Sequence, residues 1–193
     1  MKVMKNNNWP LAKTATIAIL TALAFLGTLL IRIPIPVSTG YFNIGDIFVM
    51  VAGLWLGSRA GLIVGFLGPA LADFIGFPQF ILATAITKGF EGFIVGFIGG
   101  GTNEKSITKK VVAVTVGAIT IVIGYFIFEV YIYPWLGTFV PFFAVTDLSA
   151  AIAELTPNAM QGLISAVVAI SIWKAISGFN LEKNTNTENQ LEN

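Results

Sequence analysis

The sequence predicts an all-α membrane protein with six transmembrane helices. Hydrophobic residues make up 55% of its 193 residues and charged residues only 11%. A soluble globular domain carries about 25% charged residues, so this chain has too little polar surface to cover a soluble fold. Apolar segments also recur along the chain, at about 11–31, 44–57, 61–76, 80–101, 109–135 and 154–176.

The lengths of these segments predict four full spans and two short helices. A perpendicular span needs about 20 residues, which the first, fourth, fifth and sixth segments provide. The first run, from Thr14 to Ile31, is too long for the apolar region of a signal peptide and is expected to span the membrane. In the second and third segments, about 14 residues reach only about 21 Å. These are predicted to be short helices shielded by neighbours, with a re-entrant pair as the alternative.

The chain divides into a polar N-terminus (1–10), one membrane domain (11–177) and a tail (178–193). The tail is predicted to be disordered because it is rich in Asn, Glu and Thr. Cytoplasmic loops carry an excess of Lys and Arg, and with the N-terminus inside only Arg32 falls in an outer loop. Both termini are therefore expected in the cytoplasm, on the side that holds Lys2, Lys5, Lys13, Arg59, Lys105, Lys109, Lys110, Lys174 and Lys183.

The composition excludes most enzyme classes and predicts neither a metal site nor a cofactor. The chain has no Cys and no His, which removes Cys-ligated zinc, iron–sulfur clusters, disulfides and Ser–His triads. A net charge of +1 gives no basic field for nucleic acid. The run Gly99–Ser106 resembles a phosphate-binding loop, but Glu104 stands where that loop needs glycine. We therefore expect a protein without an ATPase site of its own.

Ionisable and amide side chains in the predicted spans are the candidate ligand-binding residues. Charged groups are costly in hydrocarbon, so each is expected to face the bundle interior or a cavity. Helix rise places all of them in the outer half of the bundle, which predicts a site open to the exterior. The alternative is a buried ion-pair network, with Lys88 paired to Glu91, Asp73 or Glu129. The candidates are Asp46, Asp73, Lys88, Glu91, Glu129, Asn158 and Gln161, with Pro157 predicted to start the sixth helix.

The outer loop from Arg32 to Gly45 is predicted to lie near this site. Its Tyr41 and Asn43 are expected to cover a ligand, because aromatic and amide groups commonly line pockets for ring-shaped ligands. For Phe42, and for Tyr133 and Trp135 before the last outer loop, an interfacial aromatic belt is the favoured interpretation. Four acids share this region with one Lys, which favours a neutral or protonatable heterocycle over an anionic ligand.

Small residues recur every four positions on several helices. Thr14, Ala18 and Ala22 form such a stripe on the first helix, which predicts a docking face for another subunit or tight packing inside the bundle. For the corresponding glycines, tight packing inside the bundle is expected; they are Gly57, Gly61, Gly65, Gly92, Gly96 and Gly100.

Four sequence blocks in order resemble the S components of energy-coupling factor (ECF) vitamin transporters, in the branch grouped with riboflavin and hydroxymethylpyrimidine S components. They are Gly40–Asp46, Leu56–Gly61, Gly68–Asp73 and Thr87–Gly92, and Pro157-Asn158-x-x-Gln161 is similar to the last helix of that branch. The resemblance is strong over about residues 40–101. Pro69 stands where a small residue such as Ser is more usual, which puts the local path of the third helix in doubt.

The resemblance implies a function and a set of partners. Such S components capture a vitamin or precursor at the outer side of a bacterial plasma membrane. They dock through small residues of the first helix, here matched by Ala18 and Ala22, onto a transmembrane coupling subunit that carries two ATPases, and are thought to topple to release cargo. The resemblance matches polar positions that either face the site or are structural to Asn43, Asp46, Asp73, Lys88, Glu91, Asn158 and Gln161.

The expected substrate is hydroxymethylpyrimidine or another thiamine precursor, then pyridoxine, then riboflavin. One alternative is a stand-alone proton-coupled transporter with Asp73, Glu91 or Glu129 as a proton relay, against which the absence of a two-fold sequence repeat argues. A second alternative is an intramembrane enzyme, which would need a carboxylate pair or metal-bound oxygens because the chain lacks His and Cys.

Overall fold

The structure is a computed structural model that describes residues 10–36, 38, 40–101, 104–144 and 147–191, with side chains up to residue 177. Its helices are α1 (Leu11–Leu30), α2 (Asp46–Leu56), α3 (Ser58–Gly76), α4 (Ile81–Gly99), α5 (Ile107–Ile127), α6 (Tyr133–Gly137) and α7 (Leu148–Leu191). A π-helical stretch, Phe128–Ile132, joins α5 to α6, and short 3-10 turns occupy Pro78–Phe80 and Pro141–Phe143. Apart from Pro10, the predicted polar N-terminus lies outside the described residues.

Five of the described helical segments are long and apolar enough to cross a membrane: Leu11–Leu30, Ser58–Gly76, Pro78–Gly99, Ile107–Gly137 and Leu148–Ser177. With the shorter apolar helix α2 they form a six-helix bundle, which confirms the predicted all-α membrane fold. The cytoplasmic placement of both termini remains a prediction.

The prediction that the third helix is short was wrong. α2 has 11 residues, but α3 has 19. Gly57 ends α2 at a φ of +92° and α3 begins at the next residue. The N–H of Gly61 already donates to the carbonyl of Gly57 at 3.0 Å. Residues 58–60, which fall between the second and third apolar segments, therefore form the first turn of α3.

One end of the bundle carries a two-residue antiparallel hairpin, β1 (Ile33–Pro34) paired with β2 (Tyr41–Phe42). We call this end the hairpin end. It also holds the start of α2, the end of α3, the start of α4, the π-helical stretch and the start of α7. At the opposite end, buried Lys110 donates to the carbonyls of Leu54 at 2.8 Å and Gly101 at 2.7 Å. Its ammonium lies 4.9 Å from the ring centre of Trp173, so this lysine is a buried link between helices at that end of the bundle.

The short helix α2 forms the centre of the bundle. It contacts α3, α4 and α7 extensively, and Val49, Met50, Ala52 and Leu54 are completely buried. A helix of this length reaches only about 16 Å, so it leaves its ends inside the bundle, where neighbouring helices cover them. This places Asp46, the first residue of α2, deep in the hairpin half of the molecule.

Glycines bring α3 and α4 into backbone contact, as the spacing of small residues predicts. A Cβ atom on Gly61 would overlap the carbonyl of Gly92, and one on Gly92 would overlap the carbonyl of Gly61. A Cβ on Gly65 would likewise overlap the carbonyl of Lys88. This close crossing fixes α4, and with it the polar residues on its inner face, against α2 and α3.

We expect Gly92→Ala to destabilise the protein by at least about 1–3 kcal/mol, because the new methyl meets the backbone of α3, which cannot move aside as a side chain would. Gly89→Ala, one turn earlier on α4, is the matched control. Its Cβ would meet Leu62 and Phe66 at an ordinary 3.4 Å, and alanine is the better helix former. Thermal unfolding in detergent checks the pair, and equal unfolding temperatures would contradict the close crossing.

The last helix begins earlier than the sequence suggests. Asp147 precedes α7, and its Oδ1 accepts hydrogen bonds from the Ala150 N–H at 2.9 Å and the Ser149 hydroxyl at 2.6 Å. Pro157 therefore lies inside α7 and does not start it, which corrects that prediction. The helix continues to Leu191, whereas the sequence predicts disorder from 178; the side chains from 178 onward lie outside the described residues.

Candidate ligand-binding site

A pocket lies at the hairpin end, enclosed by side chains from most of the bundle. It measures about 340 Å³ including its open mouth. The hairpin segment, α3, α4, α5, the π-helical stretch and α7 all contribute to its lining, which consists of Gly40, Tyr41, Asn43, Asp73, Phe80, Thr84, Tyr125, Glu129, Glu154, Asn158 and Gln161.

The floor of the pocket rests on a buried ion pair between Lys88 and Asp46. Both side chains are completely buried. The second carboxylate oxygen of Asp46 accepts a hydrogen bond from Nε2 of Gln161 at 2.6 Å, and Oε1 of Gln161 accepts the backbone N–H of Asn43 at 2.7 Å. The chain of contacts therefore runs from α4 through α2 and α7 to the loop that covers the site.

Lys88 pairs with none of the three carboxylates that the sequence suggested for it. Glu91 lies one turn along the same helix, but Lys88 reaches across to the first residue of α2 instead. Among the residues that the structure describes, no hydrogen-bond donor reaches either carboxyl oxygen of Glu91, and the hydroxyl of Thr87 is also without a partner. Both residues are buried and neither is part of the pocket lining.

In one wall of the pocket, hydroxyl groups hydrogen-bond to the Asp73 carboxylate, either directly or through another hydroxyl. Tyr41 donates to one oxygen of Asp73, and Thr84 donates to the other at 2.5 Å. The hydroxyl oxygen of Tyr125 lies 3.0 Å from that of Thr84. Thr84 already donates its only hydroxyl proton to Asp73, so Tyr125 must be the donor to Thr84. Burial and the adjacent Asp73 carboxylate raise the pKa of Tyr41 above its ordinary value, so the Tyr41 hydroxyl stays protonated as a donor.

Arg32 and Asn43 hold the hairpin over the pocket. The guanidinium of Arg32 donates to the carbonyl of Ala72 at 2.7 Å and lies 5.2 Å from the ring centre of Tyr41. Oδ1 of Asn43 accepts the N–H of Gly45 at 3.0 Å and the hydroxyl of Thr28 at 3.3 Å. The roof of the site is thus attached to α1, α3 and α7 together.

The opposite wall carries two more carboxyl groups, Glu129 and Glu154, whose side chains interact. Only 1% of Glu129 and 4% of Glu154 is exposed. The backbone of the hairpin segment packs directly on Glu154, since a Cβ on Gly40 would overlap its carboxyl group. No described residue donates a hydrogen bond to Oε1 of Glu154.

The structure brings six of the nine predicted ligand residues to the pocket wall: Tyr41, Asn43, Asp73, Glu129, Asn158 and Gln161. The other three, Asp46, Lys88 and Glu91, are buried but do not line it. Whether any of the nine contacts a ligand stays a prediction.

Sequence reasoning missed five lining residues: Gly40, Phe80, Thr84, Tyr125 and Glu154. Helical spacing was the signal for three of them, because residues four apart share a helix face. Thr84 lies one turn before Lys88, Tyr125 one turn before Glu129 and Glu154 one turn before Asn158.

Of the two aromatic residues predicted for an interfacial belt near the end of the fifth segment, Tyr133 and Trp135, only Trp135 is exposed. Tyr133 is completely buried. Its ring packs against Phe80, Phe128 and Phe143, and its hydroxyl accepts the N–H of Ala83 at 3.2 Å. Tyr133 therefore belongs to neither an interfacial belt nor the pocket, because the first turn of α4 uses its hydroxyl.

The small-residue stripe of α1 lies on the surface of the described bundle. Thr14, Ala18 and Ala22 are all exposed. They border an apolar groove between α1 and α3, which measures about 1230 Å³ including its open side and is also lined by Leu67 and Phe74. The stripe is therefore not covered by the helices of this chain, which removes internal packing as its explanation within the described residues.

Comparison with known proteins identifies the family. The family described as "ECF-type riboflavin transporter, S component" matches residues 8–178. The chain is 29% identical to "Thiamine precursor transporter HmpT" of Lactococcus lactis subsp. cremoris (strain MG1363), over 88% of this chain and 89% of that protein. It is 43% identical to "Uncharacterized protein in gap 3'region" of Pyrococcus woesei, over 51% of this chain and 65% of that protein, just under two thirds of its length.

A solved structure described as "Structure and mechanism of the S component of a bacterial ECF transporter" has the same fold. It aligns with a TM-score of 0.66 at 19% sequence identity, covering 87% of this chain and 96% of that one. Together with the family match over most of the chain, the fold agrees with the resemblance in the four sequence blocks. The protein therefore belongs to the family of ECF-type riboflavin transporter S components.

Proposed function

We propose that this protein captures a small heterocyclic vitamin or vitamin precursor and delivers it through an ECF-type importer. The first candidate substrate is hydroxymethylpyrimidine or another thiamine precursor, followed by pyridoxine and riboflavin. The observation that carries this proposal is the polar pocket at the hairpin end, where hydroxyl, amide and carboxyl groups from six parts of the fold converge. Such a concave site with a few convergent polar groups suits a small ring-shaped ligand.

Two further points support a thiamine precursor. The relative from Lactococcus lactis that is named as a thiamine precursor transporter aligns along 88% of this chain. Three carboxyl groups, Asp73, Glu129 and Glu154, line the pocket, while the buried Lys88 is already paired with Asp46. The described lining thus offers acceptors, which disfavours a phosphorylated or otherwise anionic vitamin.

The proposed partners are a transmembrane coupling subunit and two ATPase subunits, and the proposed location is the plasma membrane of a bacterium. The exposed stripe of Thr14, Ala18 and Ala22 supports docking to the coupling subunit, because small residues let two membrane helices approach closely. The groove beside it is apolar, as a surface that meets either lipid or another membrane helix must be.

Native mass spectrometry of the detergent-purified protein tests the substrate. We expect a bound mass equal to a pyrimidine, pyridine or flavin vitamin, with the pyrimidine favoured. Gln161→Leu is the matched variant, because it removes the amide that joins Asp46 to Asn43 and should release the cargo. If no vitamin co-purifies and none binds in titrations of all three classes, the proposed function is wrong.

A stand-alone proton-coupled transporter is the second candidate. It is favoured by Glu91, a completely buried carboxyl group without a hydrogen-bond donor among the described residues. In liposomes it would accumulate substrate under a proton gradient without ATPase subunits, whereas the S component should accumulate none. The family, described as a transporter component, gives no support to an intramembrane enzyme.

A further inference from the structure

One acid that lines the pocket, Glu154, has a carboxyl oxygen that the described residues leave without a donor. It is 96% buried, since only 4% is exposed, yet its Oε1 receives no hydrogen bond from any residue that the structure describes. Leaving a buried acceptor without a donor is costly. Asp73 in the same lining differs, because it accepts two hydroxyl protons and the protein itself meets its demand for donors.

Glu154 is also aimed at the space that a ligand would fill. It lies one turn before Asn158 on α7, so both side chains share the face that lines the pocket. Glu129, on the π-helical stretch, approaches it from the other side. The hairpin segment closes over it at Gly40, where even a methyl group would overlap the carboxyl. Two acidic side chains thus converge beneath the roof of the site.

We infer that Glu154, with Glu129, forms a subsite that binds the amine or cationic edge of the ligand and so sets its class. This inference rests on the proposed function and deepens it. An N–H donor directed at Oε1 of Glu154 would supply the missing hydrogen bond. A carboxylate or phosphate there would add a further negative charge beside two acids, so anionic forms of the same ring are excluded.

The test compares an aminopyrimidine that carries a hydroxymethyl group with the same compound in which hydrogen replaces the amine. Both are titrated into the full-length protein in detergent. A hydrogen bond to a charged group is worth about 10- to 100-fold in affinity, so the unmodified protein should prefer the amine form by at least about tenfold. Glu154→Met should reduce the preference to less than about threefold, and Glu154→Gln, which keeps a neutral acceptor, should lie between the two.

Glu129→Gln provides a second variant should Glu154→Met fail to fold, and it too should lower the preference. Glu104→Gln is the control, because this acid lies in the loop at the opposite end and pairs with Lys109. Equal affinity of the unmodified protein for both compounds, or a preference that survives the variants at positions 154 and 129, would overturn the inference. If riboflavin binds while neither pyrimidine does, the subsite is wrong and the S-component function stands. If no heterocycle binds, both are wrong.

Discussion

Lys88→Met should destabilise the protein by about 3–5 kcal/mol, the effect expected when one partner of a buried ion pair is removed. Lys88 and Asp46 are both completely buried, so the substitution leaves the carboxylate of Asp46 without its counter-charge in the centre of the bundle. Methionine has a similar shape to the lysine stem, which keeps the packing of α4 on α2 and isolates the loss of charge. Thermal unfolding in detergent measures the change.

Two further variants separate charge from packing. Lys88→Met combined with Asp46→Asn leaves no unpaired charge and should recover most of the lost stability. Lys109→Met removes a comparable ion pair at the surface, with Glu104, where the lysine side chain is 59% exposed. Exposed pairs contribute about 0–1 kcal/mol, so this variant should unfold almost like the unmodified protein. Equal effects at Lys88 and Lys109 would show that the buried pair does not hold α2 and α4 together.

Lys88→Met should also weaken ligand binding, through contacts that continue from the pair to the pocket. Asp46 accepts a hydrogen bond from Gln161, which in turn holds the backbone of Asn43. Without Lys88, the Asp46 carboxylate should attract the Gln161 amide more strongly. The hydrogen bond from the Asn43 backbone to Gln161 is then expected to weaken, which loosens the loop over the pocket. A titration of the candidate vitamins checks this, and unchanged affinity would place the ion pair outside the function of the site.

Ala18→Leu and Ala22→Leu should reduce substrate uptake to background while leaving ligand binding unchanged. Both alanines are exposed on α1 beside the apolar groove, and neither lines the ligand pocket, so the ligand contacts should stay intact. Under the proposed docking, a leucine there would hold the approaching helix of the coupling subunit away, because membrane helix interfaces depend on close backbone approach. Uptake is measured in cells or proteoliposomes that contain the coupling subunit and both ATPases.

The control for added bulk is Ala175→Leu, which places the same side chain on an exposed position of α7. This variant should retain uptake. Loss of uptake in all three variants would indicate a general effect of bulk on the lipid-facing surface. Loss of ligand binding along with uptake in the α1 variants would mean that the stripe supports the fold and not docking.

The polar residues of the site could be found in the sequence because charge is rare inside a membrane. Asp46, Asp73, Lys88, Glu91 and Glu129 stand out against apolar runs, and all five are buried in the structure. Their pairing could not be found in this way. Lys88 and Asp46 are 42 positions apart, and their contact depends on how closely the glycines of α3 and α4 allow the helices to approach.

The helix boundaries were likewise predicted only in part from the sequence. The apolar runs locate all six helices, but Gly57 turns the chain so tightly that α3 gains its first turn from residues that look like a loop. Asp147 similarly starts α7 ahead of Pro157, whose helix-starting preference the sequence suggested. In both cases a local backbone or capping contact overrides a residue preference that is correct on average.

The sequence by itself determined the membrane class, the six helices and most of the polar side chains of the pocket, because hydropathy and helical period are properties of the chain alone. The S-component resemblance came from the four sequence blocks. Only the tertiary structure decided that Lys88 pairs with Asp46, that Thr84 and Tyr125 continue the Asp73 hydroxyl chain, and that Glu154 faces the pocket without a donor. These contacts join residues from different helices. They could not be predicted because the way in which helices pack against each other decides which groups are buried and hydrogen-bonded, and the sequence of one segment does not specify that packing.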